Sequence, residues 1–160
     1  MPLENRTNQQ LMTMLHNTIS HEDRARALAA KNRIYAVWAQ RNQQFISGEE
    51  VEMMDADGVL SAFGYHVGDN GITNATKRRV ILNHVLEAPI PPIKDKEYTT
   101  KWGRPQSIRR ATTLVSTLYG LVQGVRRRNA YNQTQYQRAM THWQEDIAYL
   151  ENLPHSSNNY

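Results

Sequence analysis

Two places in the sequence set a histidine beside carboxylates, His21-Glu22-Asp23 and His142-Trp143-Gln144-Glu145-Asp146. Imidazole and carboxylate together can move protons or hold a metal ion. A metal needs a third ligand in defined geometry, and neither segment contains HExxH or another strong metal pattern. Both clusters fall in amphipathic helical sequence, where solvated charges are the ordinary content, so we read them as surface. His66 and His84 flank a glycine-rich loop and a basic helix and could approach each other, although a satisfied structural histidine is the plainer reading. The chain has no cysteine, which removes disulfides, thiolate nucleophiles and cysteine-bound zinc or iron–sulfur chemistry. No catalytic residue, metal ligand or cofactor is assigned, and an enzyme stands as the third reading.

The second candidate is the run Gly64-Tyr65-His66-Val67-Gly68-Asp69-Asn70-Gly71, which opens onto a helix near Thr73. Backbone N–H groups at such a point can receive an anion. The run holds neither GxxxxGK[ST] nor GxGxxG and has no strong preceding strand, so tight-turn geometry with positive φ is the favoured explanation of its glycines. A β-hairpin is the competing form, but its flanks lack a period of two.

The strongest functional signal is basic. Residues 1–60 carry six Lys/Arg against eight Asp/Glu, whereas the window 73–138 carries thirteen against Glu87, Asp95 and Glu97 alone. Lys77, Arg78 and Arg79 lie on the helix after the glycine loop. Lys101, Trp102 and Arg104 lie on a linker, Arg109 and Arg110 at the start of the next helix, and Arg126, Arg127 and Arg128 at its end. Flexible cations suit phosphate contact and an aromatic such as Trp102 or Tyr98 suits base stacking, so these eleven residues are the candidate nucleic-acid-binding set. Arg and aromatic residues also anchor protein interfaces, which keeps a protein–protein adaptor or inhibitor as the alternative.

These residues need elements to hold them. Residues 7–19 can form a short helix through Leu11, Met12, Leu15 and Ile19. Ser20 with Asp23 reads as a capping box opening a spine helix of nearly 40 Å (at about 1.5 Å per residue), which Ser47-Gly48 ends. Leu28, Ile34, Tyr35, Val37, Trp38 and Phe45 form its apolar stripe. The acidic residues 49–57 can start another short helix leading to Val59, Leu60 and Phe63. Thr73 caps a helix over residues 74–87 with Val80, Ile81 and Val85 inward and Lys77-Arg78-Arg79 outward or along one edge. Helix 55–63, the loop and helix 74–87 could make a helix-turn-helix-like unit, but the loop exceeds the usual turn of about three or four residues. Pro89, Pro91 and Pro92 then impose an extended connection, either a hinge or a strap across the surface.

Ser107 caps the clearest helix, with Ile108, Ala111, Val115, Leu118, Val122 and Val125 facing a core and Leu114 and Leu121 widening the stripe. A final helix from about residue 134 to 150 places Tyr136, Met140, Trp143, Ile147 and Leu150 on one face. The expectation is an all-α fold: an irregular bundle of four to six helices with a glycine-rich loop and a proline-rich linker, one domain over residues 1–154, and a disordered tail at 155–160. The N-terminus lacks the apolar core of a signal peptide and no apolar run reaches membrane-spanning length. The default location is cytoplasmic, with no membrane partner. Surplus apolar stripe leaves room for a homodimer.

Four stretches together, Phe63-Gly64-Tyr65-His66-Val67-Gly68, Arg78-Arg79-Val80-Ile81-Leu82, Trp102 to Arg110, and Trp143 to Leu150, resemble the C-terminal module of uncharacterised bacterial proteins over roughly residues 55–151. The resemblance implies a bacterial or mobile-element context, with DNA metabolism or defence as the setting, and carries no activity or site residues with it. The combined expectation is a non-enzymatic nucleic-acid-binding or accessory protein.

Overall fold

The computed structural model describes residues 2–95, 97–128 and 134–154, with backbone alone for 134 and 135. The expected tail at 155–160 lies outside these residues. Among the described residues the fold is all-α, with seven α-helices and no strand. A single domain over 1–154 is the sequence expectation; in the structure the chain divides into two compact units, Met1–Phe63 with Ala88–Thr99, and Gly64–Glu87 with Thr100–Tyr160.

The first unit is built on α1 (Asn8–Asn17) and α2 (Arg24–Ile46). A capping box starts α1: Gln10 N donates to Thr7 Oγ1 at 3.1 Å and Thr7 N donates to Gln10 Oε1 at 2.8 Å. The cap of α2 differs from expectation. Asp23, not Ser20, accepts from the backbone of Ala25 and Arg26, because Thr18–Ser20 is already wound into a 3-10 turn. Ser47 and Gly48 (φ 86°) end α2, which at 23 residues is about 35 Å long. Its buried face is Ala27, Ile34, Val37 and Trp38; Leu28 is 53% exposed rather than inward. Trp38 meets Phe63 edge-on at 5.9 Å, just beyond α3 (Val59–Ala62), and Phe45 stacks on Tyr98 at 6.2 Å.

Residues 49–57 form no helix. Met54 N donates to Pro92 O at 2.8 Å, an isolated parallel bridge to Ile93. The proline segment is correspondingly not a surface strap: Ile90, Pro91, Pro92 and Ile93 are buried, and Asn42 Nδ2 donates to Ile90 O at 2.8 Å. The fully buried Asn8 donates to Glu52 O and receives Arg41 Nη1 at 2.8 Å, which satisfies it.

In the second unit α4 (Ala75–Glu87), α6 (Ile108–Arg127) and α7 (Thr134–Glu151) pack together, and α5 (Tyr98–Lys101) leads into it. Asn74, one residue past the expected Thr73, caps α4 by accepting from Lys77 N at 3.0 Å. Ser107 caps α6 as expected, accepting from Arg110 N at 3.1 Å. Arg78–Asp146 and Asn83–Tyr149 set α7 alongside α4 in the same direction, while Arg110–Val85 fixes the start of α6 against the end of α4 and Tyr119–Glu151 ties α6 to the end of α7.

Candidate nucleic-acid interface

The eleven predicted contact residues separate into a buried set and an exposed remainder. Arg78 is wholly buried and its guanidinium is spent on protein: Nε donates to Asp146 Oδ2 at 2.9 Å, Nη2 to Glu145 Oε2 at 2.9 Å, and Nη1 to the carbonyls of Ile72 and Thr73. Arg110, 2% exposed, donates to Val85 O at 2.7 Å, Trp102 O at 3.1 Å and Gly103 O at 3.0 Å. It thereby occupies a carbonyl left open at the end of α4, where a cation also suits the helix dipole. Burial lowers its pKa to about 10, so it keeps its charge at neutral pH. Trp102 is 5% exposed and Tyr98 2% exposed, so neither presents a ring face to a base. Arg78, Arg110 and Trp102 are corrections to the predicted surface set. Each is placed by the apolar stripe of its own segment rather than by its polarity.

The exposed remainder comprises Lys77 and Arg79 on the first turns of α4, Arg126, Arg127 and Arg128 at the end of α6, and Lys101, Arg104 and Arg109 near the start of α6. Arg79 lies over the ring of Tyr149, in the last turn of α7, at 5.1 Å, which holds its guanidinium against that helix. Arg128 Nε donates to Gly124 O at 3.1 Å. Two carboxylates of the unit are already engaged: Asp69 by Arg138 at 3.1 Å, Glu145 by Arg78 at 2.9 Å. The five cations therefore project a field that nearby acids only partly offset.

Behind this surface the glycine loop is fixed by a polar network that local sequence does not announce. Tyr65 Oη donates to Asp146 Oδ2 at 2.6 Å, and Gly68 N donates to His142 Nδ1 at 3.1 Å. Burial, then the bond to Asp146, raises the Tyr65 pKa well above the ordinary tyrosine value. Burial, then the Arg78 charge, lowers that of His142. Gly64 and Gly68 adopt φ of 76° and 86°. Gly71 has another reason to be glycine, since a Cβ there would lie 2.6 Å from the backbone of His66 and Val67. The glycines are thus structural, as read from sequence. His66 is exposed while His84 is buried, and His21 is exposed. Among the described residues no group of three His, Asp or Glu is placed to hold a metal ion.

An apolar groove of about 530 Å³ was not anticipated. Ile108, Ala111 and Val115, expected in the core, line it with Leu150 and Leu153, while the buried side of α6 is Arg110, Leu114, Leu118, Val122 and Val125. No family profile, curated protein or solved structure matches the chain. No described helix is long and apolar enough to cross a membrane.

Proposed function

We propose that this chain is a non-enzymatic nucleic-acid-binding or accessory protein that contacts the phosphate backbone through Lys77, Arg79, Arg126, Arg127 and Arg128, in a bacterial or phage setting of DNA metabolism or defence. The observation that carries the reading is the exposure of five cations, Lys77 and Arg79 on the first turns of α4 and Arg126, Arg127 and Arg128 at the end of α6, in a unit where Asp69 and Glu145 are already paired. With Trp102 and Tyr98 buried, the expected mode is electrostatic and tolerant of sequence, because phosphate contacts carry affinity and base contacts carry specificity. A mobility-shift titration on mixed-sequence duplex at low salt tests it. Arg126→Ala/Arg127→Ala/Arg128→Ala should bind at least about tenfold more weakly. The exposed pair Arg26→Ala/Arg33→Ala in the first unit should bind like wild type. Equal affinity of the triple variant and wild type overturns the reading.

A second reading, a protein–protein adaptor, is favoured by the apolar groove along α6, where Ile108, Ala111, Val115, Leu150 and Leu153 lie beside Tyr119, since tyrosine is a frequent interface anchor. Copurification from the native host separates the two: a stoichiometric protein without nucleic acid supports the adaptor.

A further inference from the structure

The His142 ring holds the glycine loop through one hydrogen bond and lies one helical turn from a buried carboxylate. As found, its Nδ1 accepts the Gly68 N–H at 3.1 Å, so the ring proton resides on Nε2. One helical turn further along α7, Asp146 is fully buried, and its Oδ1 has no hydrogen-bond partner although Oδ2 has two. A buried carboxylate oxygen without a donor is costly and calls for an explanation. A protonated Nδ1 cannot accept from Gly68, but it can donate to a carboxylate at the i+4 position.

We propose that His142 is an acid-operated latch on the glycine loop: neutral, it holds Gly68, and protonated, it releases Gly68 and turns to Asp146 Oδ1. The charges acting on the ring come from α4 and α7. Arg78 on α4 and Arg138 on α7 oppose its charge, and Glu145 and Asp146 on α7 favour it. The loop itself contributes Tyr65, bonded to Asp146, Asp69, bonded to Arg138, and the exposed His66. α6 carries Arg126 and Arg127 in its last turn. Glu145 and Asp69 are already held by arginines, which leaves Asp146 Oδ1 as the open acceptor for the imidazolium. Burial displaces the transition below the ordinary histidine value of 6.5. Release frees a loop whose two positive-φ glycines already carry its turns, and it changes the setting of the Asp69–Arg138 pair.

The test is an NMR titration of the full chain from about pH 7.5 to about pH 5, a range that brackets histidine ionisation. It follows the His142 ring and the exchange protection of the Gly68 amide, corrected for the intrinsic pH dependence of exchange. In wild type, Gly68 protection should fall on the order of tenfold with the same midpoint as the His142 ring, the loss of one buried hydrogen bond. His142→Asn offers an acceptor that does not titrate, so its Gly68 amide should stay protected across the range. Protection that persists in wild type while His142 ionises overturns the latch. So does an unchanged transition in His142→Asn. If His142→Asn does not fold, the wild-type comparison of the two midpoints decides alone.

Discussion

Arg78 and Arg110 show how a single side chain can be placed by its register rather than its chemistry. Arg78, Ile81, Leu82 and Val85 follow one face of α4, and Arg110, Leu114, Leu118, Val122 and Val125 one face of α6. Both positions were legible as stripe members. Their polarity argued against it, and the compensating partners come from residues distant in sequence: Asp146 lies 68 positions from Arg78. Truncating one member of such a pair leaves a buried charge unpaired. Asp146→Ala should therefore destabilise the protein by about 3–5 kcal/mol in chemical denaturation, and a loss under about 1 kcal/mol, in the range of a surface pair, would contradict the buried network. Two tyrosines add a pH dependence at the alkaline side. Burial raises the pKa of Tyr65 and pushes that of Tyr98 up to about 12. The unfolded chain ionises near pH 10 while the folded chain keeps these protons, so stability is full below about pH 10 and declines as pH rises above it. Each tyrosine contributes a slope of up to about 1.4 kcal/mol per pH unit. Tyr65→Phe should flatten the fall in urea midpoint between about pH 9 and about pH 11; an unchanged slope would count against this account.

At the scale of elements, the helices and their ends were largely readable, and what escaped was what they pack against. Ser107, Ser47 and Gly48 stand where cap chemistry puts them, whereas Ser20 and Asp23 are both competent caps and only the 3-10 turn before α2 decides between them. Residues 88–93 look like a linker because prolines deny them periodicity. Their burial depends on a bridge to Met54 that no local pattern encodes. On α6, Ile108, Ala111 and Val115 were expected inward, yet the stripe one step over is the buried one, and the groove occupies the other side. Glycines give the sharpest test. Gly71→Ala must force a Cβ within 2.6 Å of the His66 and Val67 backbone, which cannot swing aside like a side chain, so a loss of more than about 2 kcal/mol is expected. Gly120, inside α6 with open space around its Cβ position, should accept alanine with a gain of about 0.5–1 kcal/mol. Thermal denaturation of the pair should give melting shifts of opposite sign; shifts of the same sign would refute these two environments.

For the molecule as a whole, the division of charge follows the division into units. The first unit carries eight Lys/Arg against ten Asp/Glu, and the second eleven against five. The regional basicity was therefore legible in the sequence. Which cations face solvent was not, because Arg78 and Arg110 count equally in any sum. The proposed function rests on the exposed five at the start of α4 and the end of α6. Its most direct test is the salt dependence of duplex binding, because each phosphate neutralised contributes roughly −0.9 to the slope of log affinity against log salt. Wild type should bind at low salt with a steep negative slope, and Arg126→Ala/Arg127→Ala/Arg128→Ala should reduce its magnitude by about 2–3. Absence of binding at low salt, or an identical slope in the triple variant, would contradict the proposal.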